Sequence, residues 1–267
     1  MDLPITGWGS MPFAASLQKI EAKLNELLLI REVPYKSLIE AARYSTLSKA
    51  GRLRPLIVFE MATSYGATEE EALLPACAIE LVHTYTLIHD DLPCMDDEVE
   101  RRGKLPLHKV VDEGLALLTG DYLLTYAFEL ISKHAFISAE KRLQMIQILS
   151  SLGGAEGLIG GQVLDLFSPK TSIEEILWIN ARKTGDLFLA CFEFAAILAD
   201  VSAQDRTLFA QFGSLFGLVY QILDDADDNE KQSIPINSLL EQLHNLQSPK
   251  APIQKSLVEQ LKNRAAS

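Results

Sequence analysis

Apolar side chains recur at helical spacing along almost the whole chain, and the period-two alternation of a half-buried strand is nearly absent. The pattern predicts an all-α protein. Helices are expected over about 14–32, 38–46, 53–65, 75–92, 114–135, 139–158, 173–200 and 206–226, and in pieces from 234 to the C-terminus. Breaks fall at Tyr65-Gly66-Ala67-Thr68, at Pro93, around 103–106 and at Phe167-Ser168-Pro169-Lys170. None of these is a long Gly/Ser-rich or Pro-rich linker, so one domain over residues 1–267 is expected.

Two of the apolar stretches end in aspartates. One runs into Asp90-Asp91-Leu92-Pro93-Cys94-Met95-Asp96-Asp97, the other into Asp224-Asp225-Ala226-Asp227-Asp228. The C-terminal end of a helix already carries partial negative charge, so carboxylates gathered there are unfavourable unless a cation joins them. Hard oxygen donors in this number suit magnesium or calcium. Neither cluster has the twelve-residue loop with a central Gly and closing Glu of a helix-loop-helix calcium site. Two such clusters suggest a clamp of divalent ions on a phosphate or diphosphate.

Spacing bears on how each cluster would work. Asp224 and Asp228 are one helical turn apart and share a face. Asp90 and Asp96 would lie about 240° apart around a continuous helix. Pro93 disfavours the α conformation at Leu92 and ends or bends the helix, letting Met95-Asp96-Asp97 fold back toward Asp90. An isolated Asp run is ordinarily a solvated helix end. Here there are two, and the Arg101-Arg102 pair behind the first offers guanidinium forks for diphosphate oxygens.

The formal charge is −12, and no basic block of nucleic-acid-binding type is present, which argues against a nucleic-acid partner. An acidic chain can still bind an anion through metal. Cys77, Cys94 and Cys191 are far apart and odd in number, suggesting neither a disulfide framework nor a zinc site. The N-terminus lacks a secretory leader pattern, and no uncharged run approaches the roughly 20 residues of a membrane span. A soluble cytoplasmic protein is expected.

The stretch from Glu80 to Asp121, ELVHTYTLIHDDLPCMDDEVERRGKLPLHK and on to TGDYLLT, resembles the trans-polyprenyl diphosphate synthases. Gly161-Gln162-Val163-Leu164-Asp165-Leu166 is similar to that family's G-Q-x-x-D motif, and Lys183-Thr184-Gly185 to its K-T-G motif. Tyr220 to Asp228 is similar to its second aspartate motif, with Tyr where Phe is common. The resemblance implies an isoprenoid synthase-type helical bundle around a central substrate cavity. It also implies a magnesium-dependent enzyme that ionises an allylic diphosphate and joins the cation to isopentenyl diphosphate. By resemblance, Asp90, Asp91, Asp96, Asp224, Asp225 and Asp228 hold about three magnesium ions. Arg101 and Lys183 contact the allylic diphosphate, while Gln162, Asp165, Thr184 and Gln221 complete the pocket around metals and cation. A homodimer is implied as well.

Isopentenyl diphosphate is held in this family by cations without metal. Arg54, His83 and Arg102 match those ligands, but Lys49-Ala50-Gly51-Arg52-Leu53-Arg54-Pro55 has Gly51 where the family motif has lysine, with Lys49 two residues earlier. After Asp228 the family carries a longer loop with a further lysine. Here the chain runs straight on, and Lys231 matches the lysine of the next motif. The hydrocarbon tail would run below the metal site past Tyr85 and Thr86. An aromatic residue at position 85 with the four-residue spacer between Asp91 and Asp96 resembles the bacterial farnesyl type, so a C15 product from C5 and C10 primers is expected, with C20 as the alternative. Two other readings stay open: a class I terpene cyclase, against which Asp224 to Asp228 and Arg101-Arg102 speak, and a low-activity or regulatory homologue lacking full isopentenyl diphosphate binding.

Overall fold

In the computed structural model the described residues are 13–169, 172–227 and 236–266, with backbone only for 225–227. Among them the chain is helical with no strand: α1 (Ala14–Leu27), α2 (Lys36–Thr46), α3 (Leu53–Ser64), α4 (Glu69–Asp90), α5 (Leu107–Val110), α6 (Glu113–Ser132), α7 (Ala139–Gly153), α8 (Leu158–Phe167), α9 (Ile173–Asn180), a π turn (Ala181–Gly185), α10 (Asp186–Leu198), α11 (Ala203–Asp227), α12 (Ile236–Asn245) and α13 (Pro252–Ala266). The all-α expectation holds. The contacts divide into two compact units, Met1–Leu56 with Leu73–Phe136, and Ile57–Ala72 with Ile137–Ser267.

Several boundaries differ from the sequence expectation, α1 among them ending at Leu27 and not near 32, and three of the differences have a clear local reason. Helix α4 starts at Glu69, ahead of Pro75, because Thr68 and Glu71 form a reciprocal cap: the Glu71 N–H donates to Thr68 Oγ1 (3.2 Å) and the Thr68 N–H to Glu71 Oε2 (2.8 Å). Glu69, Glu70 and Glu71 then face the positive end of the helix. The segment expected as 139–158 ends at Gly153, and Gly154 and Gly157 separate it from α8. The segment expected as 173–200 opens with a Ser172/Glu175 capping box but is interrupted by the π turn.

In the first unit, α2 packs on α6 and α5. The phenol of Tyr126 on α6 donates to the Leu27 carbonyl at the end of α1 (3.2 Å). In the second unit, α10 packs against α11 and α7, and α10 is apolar nearly all round, with eleven of its side chains buried. On α11, Phe209, Phe212, Phe216 and Tyr220 fall on one face at helical spacing. Their rings join Phe188 and Phe192 of α10 in edge-on and tilted contacts, including Phe188–Phe216 at 5.0 Å and Phe192–Phe212 at 5.2 Å between centroids. This aromatic layer packs α11 against α10 ahead of its aspartate end.

Helices α4 and α6 are long and apolar enough to cross a membrane by length and composition. The apolar window of α4 is 72% buried within the protein, as in a core helix, and that of α6 is 39% buried.

Candidate active site

In the first unit, α4 ends at Asp90 and the chain reverses as the Pro93 argument requires. The Asp96 N–H donates to the Asp90 carbonyl (2.9 Å), and the Met95 and Asp97 N–H groups both donate to that of Leu92 (2.9 and 3.1 Å). Asp97 closes the reversal at φ +47°, a left-handed conformation uncommon outside glycine. Asp90 is half-buried and Asp96 exposed. Asp91, only 3% exposed, is met by Arg101, whose Nη2 and Nε reach the same carboxylate oxygen, Oδ1, at 2.6 and 2.8 Å. Burial nonetheless pushes the Asp91 carboxyl above its ordinary pKa, outweighing the lowering by Arg101. One guanidinium does not fully compensate this carboxylate.

The Arg101-Arg102 pair sits on a two-residue reversal. Arg101 and Lys104 exchange backbone hydrogen bonds of 2.8 and 3.1 Å, with Arg102 and Gly103 at φ +56° and +74°. Two successive left-handed residues define a type I′ turn, one that arginine adopts only at a cost in strain. The turn aims Arg102 at His83: its Nη2 lies 3.4 Å from His83 Nε2, and its Nη1 donates to Ser48 Oγ (3.4 Å). Arg54 Nη1 approaches the same His83 nitrogen at 3.2 Å. Guanidinium groups can only donate, so Nε2 is the acceptor and the imidazole is neutral with its proton on Nδ1. Two positive charges thus meet at one neutral ring, an arrangement suited to an anion with several oxygens. A narrow cavity of ≈ 30 Å³ is lined by Ser48, Thr84, Asp91, Arg101 and Arg102, among others. Lys49 is exposed.

Upstream on α4, Tyr85 is buried and its ring meets that of His89 edge-on, 5.6 Å between centroids. Burial, with a smaller contribution from Asp90, pushes the phenol up to about 12. Thr86, half-buried, donates its hydroxyl to the His83 carbonyl (2.9 Å).

In the second unit, α8 lies directly on the π turn. A Cβ at Gly161 would fall 2.5 Å from the Lys183 backbone nitrogen, so only glycine allows this approach. The contact brings together two motifs distant in sequence: Lys183 Nζ lies 2.6 Å from Asp165 Oδ2. Among the described residues, neither polar atom of the buried Gln162 side chain has a hydrogen-bond partner, as expected of a residue awaiting a ligand or water. The widened turn carries Lys183 and Thr184, both half-buried, and packs on α11, where Gly217 lies against Gly185 one turn before Gln221. At the end of α11 Asp224 pairs with Arg264 of α13 (2.8 Å), and the Arg264 guanidinium stands 5.8 Å from the Tyr220 ring centroid. Asp228 and Lys231 lie outside the described residues, as does the Asp225 side chain.

Among the described residues no three His, Cys, Asp or Glu side chains converge as a ready-made metal cage. The donor set still fits a hard divalent ion. Asp91 is buried beyond what Arg101 compensates, and its Oδ2 takes no part in that pair. Three contributors escaped the sequence reading. Arg264 is a single arginine near the C-terminus, which no spacing marks. Arg52 stands inside the motif around Arg54, yet it is a structural node: at φ +50° and 3% exposure it pairs with Glu80 (2.5 Å) and Glu21 (2.6 Å) and donates to the Thr46 and Ser48 carbonyls. Asp97 faces Lys109 (3.4 Å) and the buried His108 (3.9 Å). Its place in the aspartate run was visible, but its left-handed backbone was not.

Residues 35–237 match the sequence pattern of the polyprenyl synthetases. A farnesyl diphosphate synthase of Bacillus subtilis is 45% identical over 198 residues, covering 73% of this chain and 67% of the relative. A chloroplastic geranylgeranyl pyrophosphate synthase of Catharanthus roseus is 36% identical over 218 residues, 80% of this chain and 60% of the relative. The crystal structure of a geranyltransferase from Legionella pneumophila superposes with a TM-score of 0.87 at 31% identity, covering 96% of this chain and 97% of that one. A pattern matched across most of the chain, with a relative 45% identical and a solved structure of the same fold, establishes that the protein belongs to the polyprenyl synthetase family.

Proposed function

We propose that the chain is a magnesium-dependent prenyltransferase that condenses isopentenyl diphosphate with dimethylallyl and geranyl diphosphates to give farnesyl diphosphate. The observation that carries this reading is the meeting of Arg54 and Arg102 at neutral His83, beside the Asp91–Arg101 pair at the end of α4. The cation cluster suits isopentenyl diphosphate held without metal. Asp90, Asp91 and Asp96 in the first cluster, and Asp224, Asp225 and Asp228 in the second, would hold about three magnesium ions. Bound magnesium supplies charge stabilisation to the departing pyrophosphate.

This chain's own residues do the rest. Arg101 and Lys183 bind the allylic diphosphate and meet the charge that grows as its C–O bond breaks. Arg54, His83 and Arg102, with the first cluster close by, fix the second substrate so that its double bond attacks the allylic carbon and a proton leaves. Gln162, Asp165, Thr184 and Gln221 line the pocket around metals and cation. Lys231 is a further contact by its motif. The single-domain organisation is supported by one family pattern running from 35 to 237. A cytoplasmic location accords with three free cysteines.

Product length is assigned to C15, with Tyr85 as the floor and Thr86 beside it. With magnesium, isopentenyl diphosphate and each of dimethylallyl, geranyl and farnesyl diphosphate, the purified protein should yield C15 from the first two. Tyr85→Ala should lengthen the product. Conversion of farnesyl diphosphate by the unaltered protein would favour the C20 reading, which the Catharanthus relative supports. Elongation of no primer would favour a regulatory homologue, the reading raised by glycine at 51 with Lys49 exposed. Cyclic hydrocarbon from an allylic diphosphate alone would identify a cyclase.

The homodimer reading is supported by Leu117 and Leu118 of α6, 46% and 57% exposed. Sedimentation equilibrium at micromolar concentration should return twice the 29.5 kDa chain mass. A monomer there would count against it.

A further inference from the structure

The residue preceding the first cluster is tied to α6 in a way that no part of the proposed chemistry uses. His89 Nε2 lies 3.0 Å from the Leu117 carbonyl, and because a carbonyl only accepts, that ring nitrogen is the protonated one. Asp121 Oδ1 is 3.9 Å from the same nitrogen. The imidazole rests on Gly120. A Cβ there would overlap Nε2 and Cδ2 of the ring, closer than any side chain could be accommodated without moving the imidazole. The ring also meets Tyr85 edge-on. The last turn of α4 is thus held at one point of α6 by a directional bond into a vacancy that only glycine leaves.

The first cluster hangs from this anchor. The Asp90 carbonyl accepts the Asp96 N–H, and the Asp91 side chain is fixed to Arg101, so the end of α4 carries the whole set of carboxylates. A carboxylate set that must meet a metal ion tolerates displacements well under an ångström. We propose that His89 is a positioning residue for the first aspartate cluster, and that Gly120 is the vacancy that admits its ring. This rests on the reading of that cluster as a metal site.

The test is Mn²⁺ binding in the presence of inorganic pyrophosphate, followed by the EPR signal of free Mn²⁺. Unaltered protein is compared with His89→Ala, His89→Gln, Gly120→Ala and the double variant, alongside thermal melts and steady-state kinetics. Loss of a group that orients metal ligands weakens metal affinity by about 10–100-fold, and because His89 acts through the end of α4, a fall at the low end, about 10-fold, is expected for His89→Ala and for Gly120→Ala. His89→Gln, which keeps an N–H donor, should recover most of it. The double variant should be no worse than His89→Ala, since the added methyl then has no ring to displace. Kinetically, the magnesium requirement should rise while KM for isopentenyl diphosphate stays within about twofold. Unchanged Mn²⁺ affinity in the single variants, additive losses in the double, or losses that only track the melting temperature would overturn the proposal. Failure of the unaltered protein to bind Mn²⁺ with pyrophosphate would instead remove the metal-site reading itself.

Discussion

Asp91→Asn should lower kcat/KM by about 10²–10³-fold while leaving the melting temperature nearly unchanged. Removing one preorganised electrostatic partner of the transition state has effects of that size. Stability should change little, because burial raises the Asp91 carboxyl pKa in spite of Arg101, a cost of keeping the charge, while Asp91 raises the Arg101 pKa, a gain from the same pair, and the two oppose each other. The sign is that of a carboxyl raised on folding. Its burial costs least below the unfolded-state pKa, where it is protonated in both states, and the cost grows as pH rises through the folded value. The amide has no charge to bury and escapes that cost, but it also gives up the charge that faces Arg101. Steady-state kinetics with thermal melts on both proteins checks the prediction. An Asn variant that loses stability and activity in proportion would show Asp91 to be a structural partner of Arg101 only.

The second large effect concerns folding. Glu80→Ala should destabilise the protein by about 3–5 kcal/mol, the usual consequence of stripping one partner from a buried ion pair. At roughly 2–4 °C per kcal/mol for a chain approaching this size, the melting temperature should fall by about 10 °C. The Arg52 and Glu80 side chains are 1% and 2% exposed, and Glu21, the other acidic partner, is 44% exposed. Burial works against the Arg52 charge, but Glu80 and Glu21 outweigh it and hold the guanidinium firmly protonated. Without Glu80 that charge would keep only its solvent-screened partner. Glu80→Gln, which retains an acceptor, should lose less. Because Arg52 also ties down the Thr46 and Ser48 carbonyls, KM for isopentenyl diphosphate should rise in the Ala variant, two residues away at Arg54. A melting curve unchanged in Glu80→Ala would show that the pair contributes nothing net.

The sequence announced the helices wherever periodicity was long and uninterrupted, as along α11 with Phe209, Phe212, Phe216 and Tyr220 on one face. It announced the chain reversal after Asp90 because proline chemistry is local. The residues expected around His83 do come together, since all three were marked by motif. What escaped depends on contacts that are distant in sequence or on backbone that a residue's type does not advertise. Arg264 meets Asp224 only through the packing of α13, the last helix, beside α11. The left-handed backbone at Arg52 and Arg102 falls on residues whose propensities argue against it, and at Asp97 on a type that tolerates it but does not announce it. Pro75 looked like a helix start because proline favours that place, and the stronger local signal was the cap formed by Thr68 and Glu71.

The π turn at Ala181–Gly185 has an implication for how this site can change over time. Such a turn holds one residue more than the α-helical turn it replaces, so it carries the form of an insertion into a helix that would otherwise run unbroken from α9 into α10. Deleting a single residue there would restore a regular hydrogen-bond ladder and rotate one flank against the other by about 100°. Lys183 would swing away from Asp165. The backbone most favourable in isolation is therefore the one without the motif's geometry, and drift toward stability at this point is drift away from activity.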